Sequence, residues 1–466
     1  MAKSKNASEK RTISNGAPVE QSEAERQAGY FLSLSLENVR CFGEKQTLDL
    51  SDGNGKPARW TVILGVNGTG KTTILQSLVG FEKVPLPVSS AELGRRGSRI
   101  RMLALSQETQ DTFSRSGEPE VNWWVKVAAS QTLTASPSQV AKYHLFMTIR
   151  GSFPSFRYFG GYTSVSPPWC CGYGAGRRMG AAALSDSGPD DAIASLFSDK
   201  ADLRNPEEWL LQLDYAAVKP SDIQEQQRVR LAQVEELLLS ILPEIEEIRL
   251  TNSGGTHPIV RAEFKTPYGW VPLRQLGYGY QTLITWVTDL ANRMMERYPN
   301  SPNPLAEPAF VAVDEIDLHL HPQWQRKLMD FLTQRFPNTQ FVVTAHSPLV
   351  AQAAADANLA VLRREGDHVV IDNDVENIRN WRIDQILTSD LFGLQSARPP
   401  QIERLFVERN GLLDKSKMTA ADQRRLKEIE AEIGELPFGE TPQERREREE
   451  IRKTLDLLMK ERQPAP

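Results

Sequence analysis

Cysteine is scarce in this 466-residue chain, and Cys41, Cys170 and Cys171 are the whole supply. Their spacing offers neither a disulfide framework nor a zinc-ligand pattern, which suits a reducing cytosol. No apolar run approaches the roughly 20 residues that span a bilayer, and the opening residues carry no apolar core of a secretory signal. The expectation is a cytoplasmic chain without a membrane partner. Positive charge is not in excess either. A net charge of -5 gives no global attraction for nucleic acid, so a nucleic-acid partner would need a local patch. Arg95, Arg96, Arg99 and Arg101 are one candidate and Arg177-Arg178 another, with a solvated charged face as the plainer account. Sustained heptads are missing, which excludes long coiled-coil arms. Residues 1–29 are polar and poor in aromatics, predicting a disordered tail. The apolar fraction of 40% suffices for a substantial core, and the length suits two or three units or one large α/β head with insertions.

What the chain does carry is Gly65-Val66-Asn67-Gly68-Thr69-Gly70-Lys71-Thr72, a complete G-x-x-x-x-G-K-[ST] loop. The β-prone run Trp60-Thr61-Val62-Ile63-Leu64 leads into it, and Ile74, Leu75 and Leu78 leave it at helical spacing. Strand, loop and helix are thus predicted in the order the motif requires. The glycines free the main chain to fold into a nest of N–H groups, and a helix starting at about Lys71 turns its positive dipole end to the same anion. The loop predicts ATP held by Asn67, Gly68, Thr69, Gly70, Lys71, Thr72 and Thr73. Lys71 is expected on the β- and γ-phosphates and the Thr72 hydroxyl on Mg²⁺. An ordinary Gly-rich turn is the alternative, and the Lys-Thr pair in register argues against it.

Downstream, Ala309-Phe310-Val311-Ala312-Val313 is a continuous apolar run, as expected of a parallel strand buried on both faces. It ends in Asp314-Glu315. Ligands of such sheets bind at strand carboxyl ends, so Asp314 is expected on Mg²⁺ and Glu315 on the attacking water. A third strand, Gln340-Phe341-Val342-Val343-Thr344, runs into Ala345-His346-Ser347-Pro348 and leaves His346 at the same kind of end.

Asp314-Glu315-Ile316-Asp317-Leu318-His319-Leu320-His321-Pro322, followed by Thr344 to Pro348, resembles the ABC-type ATPase branch that contains RecF, SMC and Rad50 heads and many phage-defence ATPases. Leu32 to Phe42 resembles the opening strand of those heads. The resemblance implies an α/β fold, with a mixed β-sheet flanked by helices. It also implies a γ-phosphate contact for His346, catalytic roles for Lys71 and Glu315, and a head-to-tail homodimer or higher oligomer sandwiching ATP. Leu276-Gly277-Tyr278-Gly279-Tyr280-Gln281 stands at the position of the family's signature, after an expected hairpin (Ile259 to Phe264, Trp270 to Leu273) and before a helix carrying Leu283, Trp286, Val287, Leu290 and Met294. Relatives usually have serine where this chain has Gly277. Contact with the opposite subunit's phosphate then falls to the backbone of Gly277 and Gly279, and slow hydrolysis is expected.

The head is expected over residues 30–380, with an insertion and helical lobe at about 85–295, and a helical C-terminal region over 381–466. Gly172-Tyr173-Gly174-Ala175-Gly176-Arg177 resembles an element of small defence ATPases. Its arginine could approach phosphate or the opposite subunit, or the stretch could be a flexible loop. Ser185 to Asp202 reads as an exposed linker, and the pattern from Pro206 to Leu242 as helical. Trp381 to Leu394 is similar to a segment of the ATPases of Septu anti-phage systems and some retrons. Beyond it, Leu426, Ile429, Ile433 and Leu436, then a capping box at Thr441-Pro442-Gln443-Glu444 opening a helix with Ile451, Leu455 and Leu458, predict a helical hairpin around Pro437-Phe438-Gly439. Its apolar stripe either docks a partner or packs on its own head. No D-x-D pattern follows Leu394, so a nuclease centre is expected in another polypeptide, which the resemblance implies is an HNH-type nuclease of the PtuB kind. The alternatives are a RecF-like repair ATPase that binds DNA directly and a nuclease in its own right.

Overall fold

The computed structural model describes residues 28–433 apart from 82, 86–97, 101–112, 114, 116–119, 131–132, 134–140, 151–152, 160–167, 182–190, 243, 254–258, 355, 376–377, 379, 395 and 416–417. The described chain runs β1 (Ala28–Glu37), β2 (Gln46–Asp49), β3 (Trp60–Gly65), α1 (Lys71–Val79), β4 (Lys83–Pro85), β5 (Ser98–Ile100), β6 (Glu120–Ser130), β7 (Ala141–Arg150), β8 (Phe153–Phe159), β9 (Cys170–Tyr173), β10 (Arg178–Met179), α2 (Ala194–Phe197) and β11 (Asp202–Leu203). It continues through α3 (Pro206–Val218), α4 (Gln224–Ile241), β12 (Glu247–Ser253), β13 (Ile259–Thr266), β14 (Gly269–Pro272), α5 (Tyr278–Arg297), β15 (Ala309–Val313), α6 (Pro322–Gln325), α7 (Leu328–Arg335), β16 (Thr339–Thr344), α8 (Pro348–Ala353), β17 (Asn358–Glu365) and β18 (His368–Asp372). The helices α9 (Ile383–Thr388), α10 (Pro400–Leu413) and α11 (Ala420–Ile433) follow.

The architecture is α/β, with a mixed sheet flanked by helices. Its six strands lie in the order β18-β17-β3-β16-β15-β9; neighbours from β17 to β9 are parallel, and β18 pairs antiparallel at the edge. β15 and β16 are buried along their whole length, which is why β15 and the middle of β16 read as apolar runs rather than alternating ones. Trp60 stacks on Phe341, its cross-strand neighbour, at 4.3 Å between ring centres.

A second sheet, β2-β1-β6-β7-β8, is antiparallel throughout. Along β6 and β7 the core residues are Val121, Trp123, Val125, Val127, Leu145, Met147 and Ile149, the every-other-residue pattern of a sheet with one face buried. The two sheets are clamped by a polar residue. Gln340 of β16 is fully buried; its carboxamide accepts from the Phe31 N–H at 2.8 Å and donates to the carbonyls of Phe31 at 2.8 Å and Ala58 at 3.3 Å. A buried amide is tolerated there because its hydrogen-bonding groups are satisfied.

The insertion adds β6 to β8 to this second sheet, and then a lobe of α3, α4 and the three-stranded sheet β12-β13-β14. The region expected to be helical from Pro206 divides into two helices between Val218 and Gln224. Asn205 caps α3 by accepting from the N–H groups of Glu207 and Glu208, with Pro206 at the first helical position. The expected hairpin forms as β13 and β14, although Leu273 already lies in a short 3₁₀ turn.

The chain divides after Val375 into two compact units. In the second, α10 and α11 form an antiparallel-connected pair tied by Arg425, which donates to both carboxylate oxygens of Glu408 at 2.8 and 2.9 Å. The helix with Leu426, Ile429 and Ile433 therefore pairs with the segment before it, where Pro400 starts a helix and Ile402, Leu405 and Phe406 take helical spacing. The expected partner at 441–458, the turn at 437–439, residues 1–27 of the expected tail, and Arg95, Arg96 and Arg101 lie outside the described residues. Ala28 and Gly29, the last residues of that expected tail, belong to β1. Among the described residues no helix is long and apolar enough to cross a membrane.

Candidate functional site

Three parallel strands, β3, β16 and β15, end side by side, and their carboxyl ends deliver the loop at 65–70, His346 and Asp314-Glu315 to one place. Gly70 closes the loop and caps α1 with φ of 84°, a left-handed value, and a Cβ there would lie 2.5 Å from the Cys41 sulfur. Only glycine allows the loop to approach the β1–β2 turn this closely.

Lys71, the first residue of α1, is mostly buried and donates from Nζ to the carbonyls of Gly65 at 2.8 Å and Val66 at 3.1 Å. Burial pushes its pKa down, while Asp314, Glu315 and Asp317 pull it up. The ammonium thus sits inside its own loop, facing three carboxylates. Thr72 Oγ1 donates to Asp314 Oδ2 at 2.6 Å, which joins the loop to β15. The other Asp314 oxygen accepts from Thr344 Oγ1 at 2.5 Å, and the same hydroxyl accepts from the Glu315 N–H at 2.7 Å. Thr344 therefore orients both acidic residues at once.

Glu315 has φ of 48°, left-handed and costly for a side chain with a Cβ, on the order of 1 kcal/mol. The carbonyl of Glu315 accepts from Arg177 at 2.6 Å. Asp317 takes the His346 N–H at 3.0 Å through Oδ2, and its Oδ1 is buried without a partner. Arg40, also left-handed at φ 49°, donates to Thr73 Oγ1 at 3.1 Å and Gln76 Oε1 at 3.0 Å, with its guanidinium 4.5 Å from the Phe113 ring centre.

These groups border an open cavity of about 460 Å³ lined by Asn67, Gly68, Gly70, Lys71, Thr72, Thr73, Asp314, Glu315 and His346, together with Arg40 and Cys41. Its size lies within the range of small-molecule sites. Of the residues singled out in the sequence, Thr69 is buried behind the cavity and donates to the Val66 carbonyl at 2.8 Å. Gly277 and Gly279 do not line it. They begin α5, where a Cβ on Gly279 would collide with the His319 carbonyl. Arg177 is not in the lining either. It is 3% exposed and turned inward.

Arg40, Cys41, Thr344 and Asp317 escaped the sequence reasoning. For Thr344 a signal existed, a hydroxyl closing the apolar run Phe341 to Val343. Arg40 and Cys41 reach the cavity only because two left-handed residues, Asn38 and Arg40, bend the chain after β1, which no periodicity encodes.

The donor set fits a magnesium ion. Mg²⁺ takes one or two protein oxygens and completes its shell with phosphate and water, and the Thr72 hydroxyl and Asp314 carboxylate already converge. Among the described residues no cluster of three or more His, Cys, Asp or Glu side chains gathers to hold a metal by protein alone.

The helix α5 is fixed from behind. Tyr173 Oη donates to Asp289 Oδ2 at 3.0 Å and Arg293 Nε donates to the same oxygen at 2.7 Å, all three residues being buried. Burial and the neighbouring Asp289 push the Tyr173 phenol well above its ordinary range, so it stays a donor.

Two family models match the chain: an AAA domain described as putative AbiEii toxin, type IV TA system, over residues 175–351, and a second AAA domain over residues 33–80. The retron Ec83 probable ATPase of Escherichia coli is 32% identical over 196 residues, covering 41% of this chain and 34% of that protein. The Septu protein PtuA of Bacillus mycoides (strain KBAB4) is 25% identical over 358 residues, covering 76% of this chain and 43% of that protein. PtuA of Bacillus thuringiensis is 30% identical over 155 residues, 32% of this chain and 39% of that protein. The chain thus spans less than half the length of each of these relatives. Among solved structures, the SMC head domain from Thermotoga maritima matches with a TM-score of 0.39 and 15% identity over 74% of this chain and 99% of that one. The chain is similar to ABC-type, AAA-family ATPases and resembles PtuA and retron ATPases of defence systems.

Proposed function

We propose that this chain is the ATP-binding and ATP-hydrolysing subunit of an anti-phage defence complex, in which nucleotide state controls a partner nuclease. The observation that carries the nucleotide part is the 2.6 Å bond from Thr72 to Asp314, which brings loop and acidic strand end together in a cavity shared with Lys71, Glu315 and His346.

In this scheme Lys71 exchanges the carbonyls of Gly65 and Val66 for β- and γ-phosphate oxygens, while Asn67, Gly68 and Gly70 present main-chain N–H groups. A bound magnesium ion, held by Thr72 and Asp314, would neutralise charge developing on the phosphates. Glu315 orients and deprotonates the attacking water, and His346 supports the γ-phosphate side. The site is half of a composite one. A second copy, head to tail, supplies the start of α5 with Gly277 and Gly279 over the phosphate held by Lys71. Without a hydroxyl at position 277 the contact rests on main-chain N–H groups and the helix dipole, so hydrolysis is slow and ATP acts mainly as a switch for assembly. The partner is an HNH-type nuclease, for which the kinship with Septu PtuA gives the support, and the complex is cytoplasmic.

Titration calorimetry with Mg-ATP tests the site. Lys71→Ala abolishes binding, and Glu315→Gln binds ATP but turns it over at least 100-fold more slowly, by about the factor a general base contributes. Tight ATP binding by Lys71→Ala would sink the assignment.

A further inference from the structure

Glu315 is held by its main chain on both sides. Its N–H donates to the Thr344 hydroxyl at 2.7 Å, and its carbonyl accepts from a terminal nitrogen of Arg177 at 2.6 Å. Between these two anchors the residue adopts its left-handed φ of 48°, a conformation that persists only where the surroundings impose it. The side chain is left free to border the cavity.

We propose that Arg177 is a positioning residue of the ATPase centre: its buried guanidinium holds the Glu315 main chain in the turn that aims the carboxylate at the cavity. This rests on the nucleotide reading given above and gives a role to a residue that the sequence left between phosphate, opposite subunit and loop.

Three observations support it. First, the fold delivers Arg177 to this spot. The Asp314 N–H donates to the Tyr173 carbonyl at 2.8 Å, continuing the β9–β15 ladder, so the chain leaving β9 runs beside the chain leaving β15. Gly174 then packs so closely on the Ser195 carbonyl that any Cβ would collide with it, which fixes the path to Arg177. Second, Arg177 is 3% exposed and absent from the cavity lining, so it does not reach a ligand there. Third, its electrostatic neighbours are the acidic residues of the site. Burial pushes its pKa down to about 10, and Asp314, Asp317 and Glu315 pull the other way, so it remains a cation at neutral pH. A neutral donor could make the same hydrogen bond but would leave three carboxylates facing Lys71 alone.

The test compares Arg177→Met, which keeps an unbranched apolar stem and loses the charge and the donors, with Arg177→Lys, which keeps the charge and N–H donors on a single nitrogen. In the full chain we would measure ATP dissociation constants by calorimetry, steady-state kcat, and melting temperature. The expected result for Arg177→Met is a kcat lower by about 10- to 100-fold, the scale of a lost charge-assisted hydrogen bond, with the ATP dissociation constant within about threefold of wild type. Arg177→Lys recovers a substantial part of kcat. A dissociation constant weakened in step with kcat would assign Arg177 to phosphate binding and overturn the positioning role. So would an unchanged kcat in Arg177→Met, or a lysine variant as slow as the methionine one. Should Arg177→Met fail to fold, Arg177→Lys decides alone: a lowered kcat at unchanged ATP affinity supports the role, and wild-type kcat or altered affinity refutes it. A wild-type chain that binds no ATP would instead overturn the nucleotide reading itself.

Discussion

Thr344 offers a sharp test of how the site is built, because a single fully buried hydroxyl serves both acidic residues. Thr344→Val preserves shape and removes that hydroxyl. Asp314 Oδ1 then loses its 2.5 Å donor and the Glu315 N–H loses its 2.7 Å acceptor. A charge-assisted hydrogen bond contributes about 1.5–3 kcal/mol and an orphaned buried N–H costs about 1–3 kcal/mol. Taking the lower end of each range, the two losses come to about 2.5 kcal/mol in all. Thr344→Ser keeps the hydroxyl and removes only a methyl group, worth about 1 kcal/mol in a buried strand. The valine variant should therefore be less stable than the serine variant by about 1.5 kcal/mol, with turnover reduced in the same order. Urea unfolding followed by tryptophan fluorescence measures the first, and a phosphate-release assay the second. A valine variant as stable and as active as the serine one would refute the account of Thr344 as the common anchor.

Two further outcomes can be checked directly. Cys170 and Cys171 are fully buried whereas Cys41 borders the cavity, so a thiol reagent should label one equivalent in the folded chain, and Mg-ATP should slow it; burial holds the Cys41 thiol above its ordinary value, so labelling accelerates as pH is raised through the alkaline range. Labelling of Cys41 at the same rate with saturating nucleotide would contradict the placement of ATP. In the second unit, the hydrogen bonds from Lys415 and Thr419 hold Asp422 down to about 2; because the folded form favours the ionised carboxylate, this stabilisation is present above the ordinary value near 4 and is lost as pH falls toward 2. Amide exchange in α11 should rise over that window in the wild type and show a weaker pH dependence in Asp422→Asn.

The α/β class was legible because its central strands are short, carry apolar runs and end in chemistry-bearing residues: Val62 to Gly65, Val311 to Glu315 and Val342 to His346 each announce themselves locally. The second sheet was less so. In β6 and β7 the alternation of Trp123, Val125 and Leu145 with Trp124, Lys126 and His144 mixes aromatics on both faces, which blurs a period of two. Arg177 shows the limit most clearly. Its neighbours Gly174 and Gly176 suggest a free loop, but the direction of its side chain is decided by where β15 ends, more than a hundred residues on. The pairing of α10 with α11 went unread, because a Pro-initiated start at Pro400 and Gly411 within the helix gave a weaker local signal than the apolar spacing downstream.

The carboxamide of Gln340 has a mechanical consequence. With β16 bonded through it to both main-chain groups of Phe31, the antiparallel sheet that leads to Arg40 cannot slide against the sheet that carries Lys71 and Asp314 without surrendering a matched pair of buried hydrogen bonds. The two sheets behave as one rigid anvil. The lobe of α3, α4 and β12 to β14, inserted in the chain between β9 and β15, takes no part in this clamp.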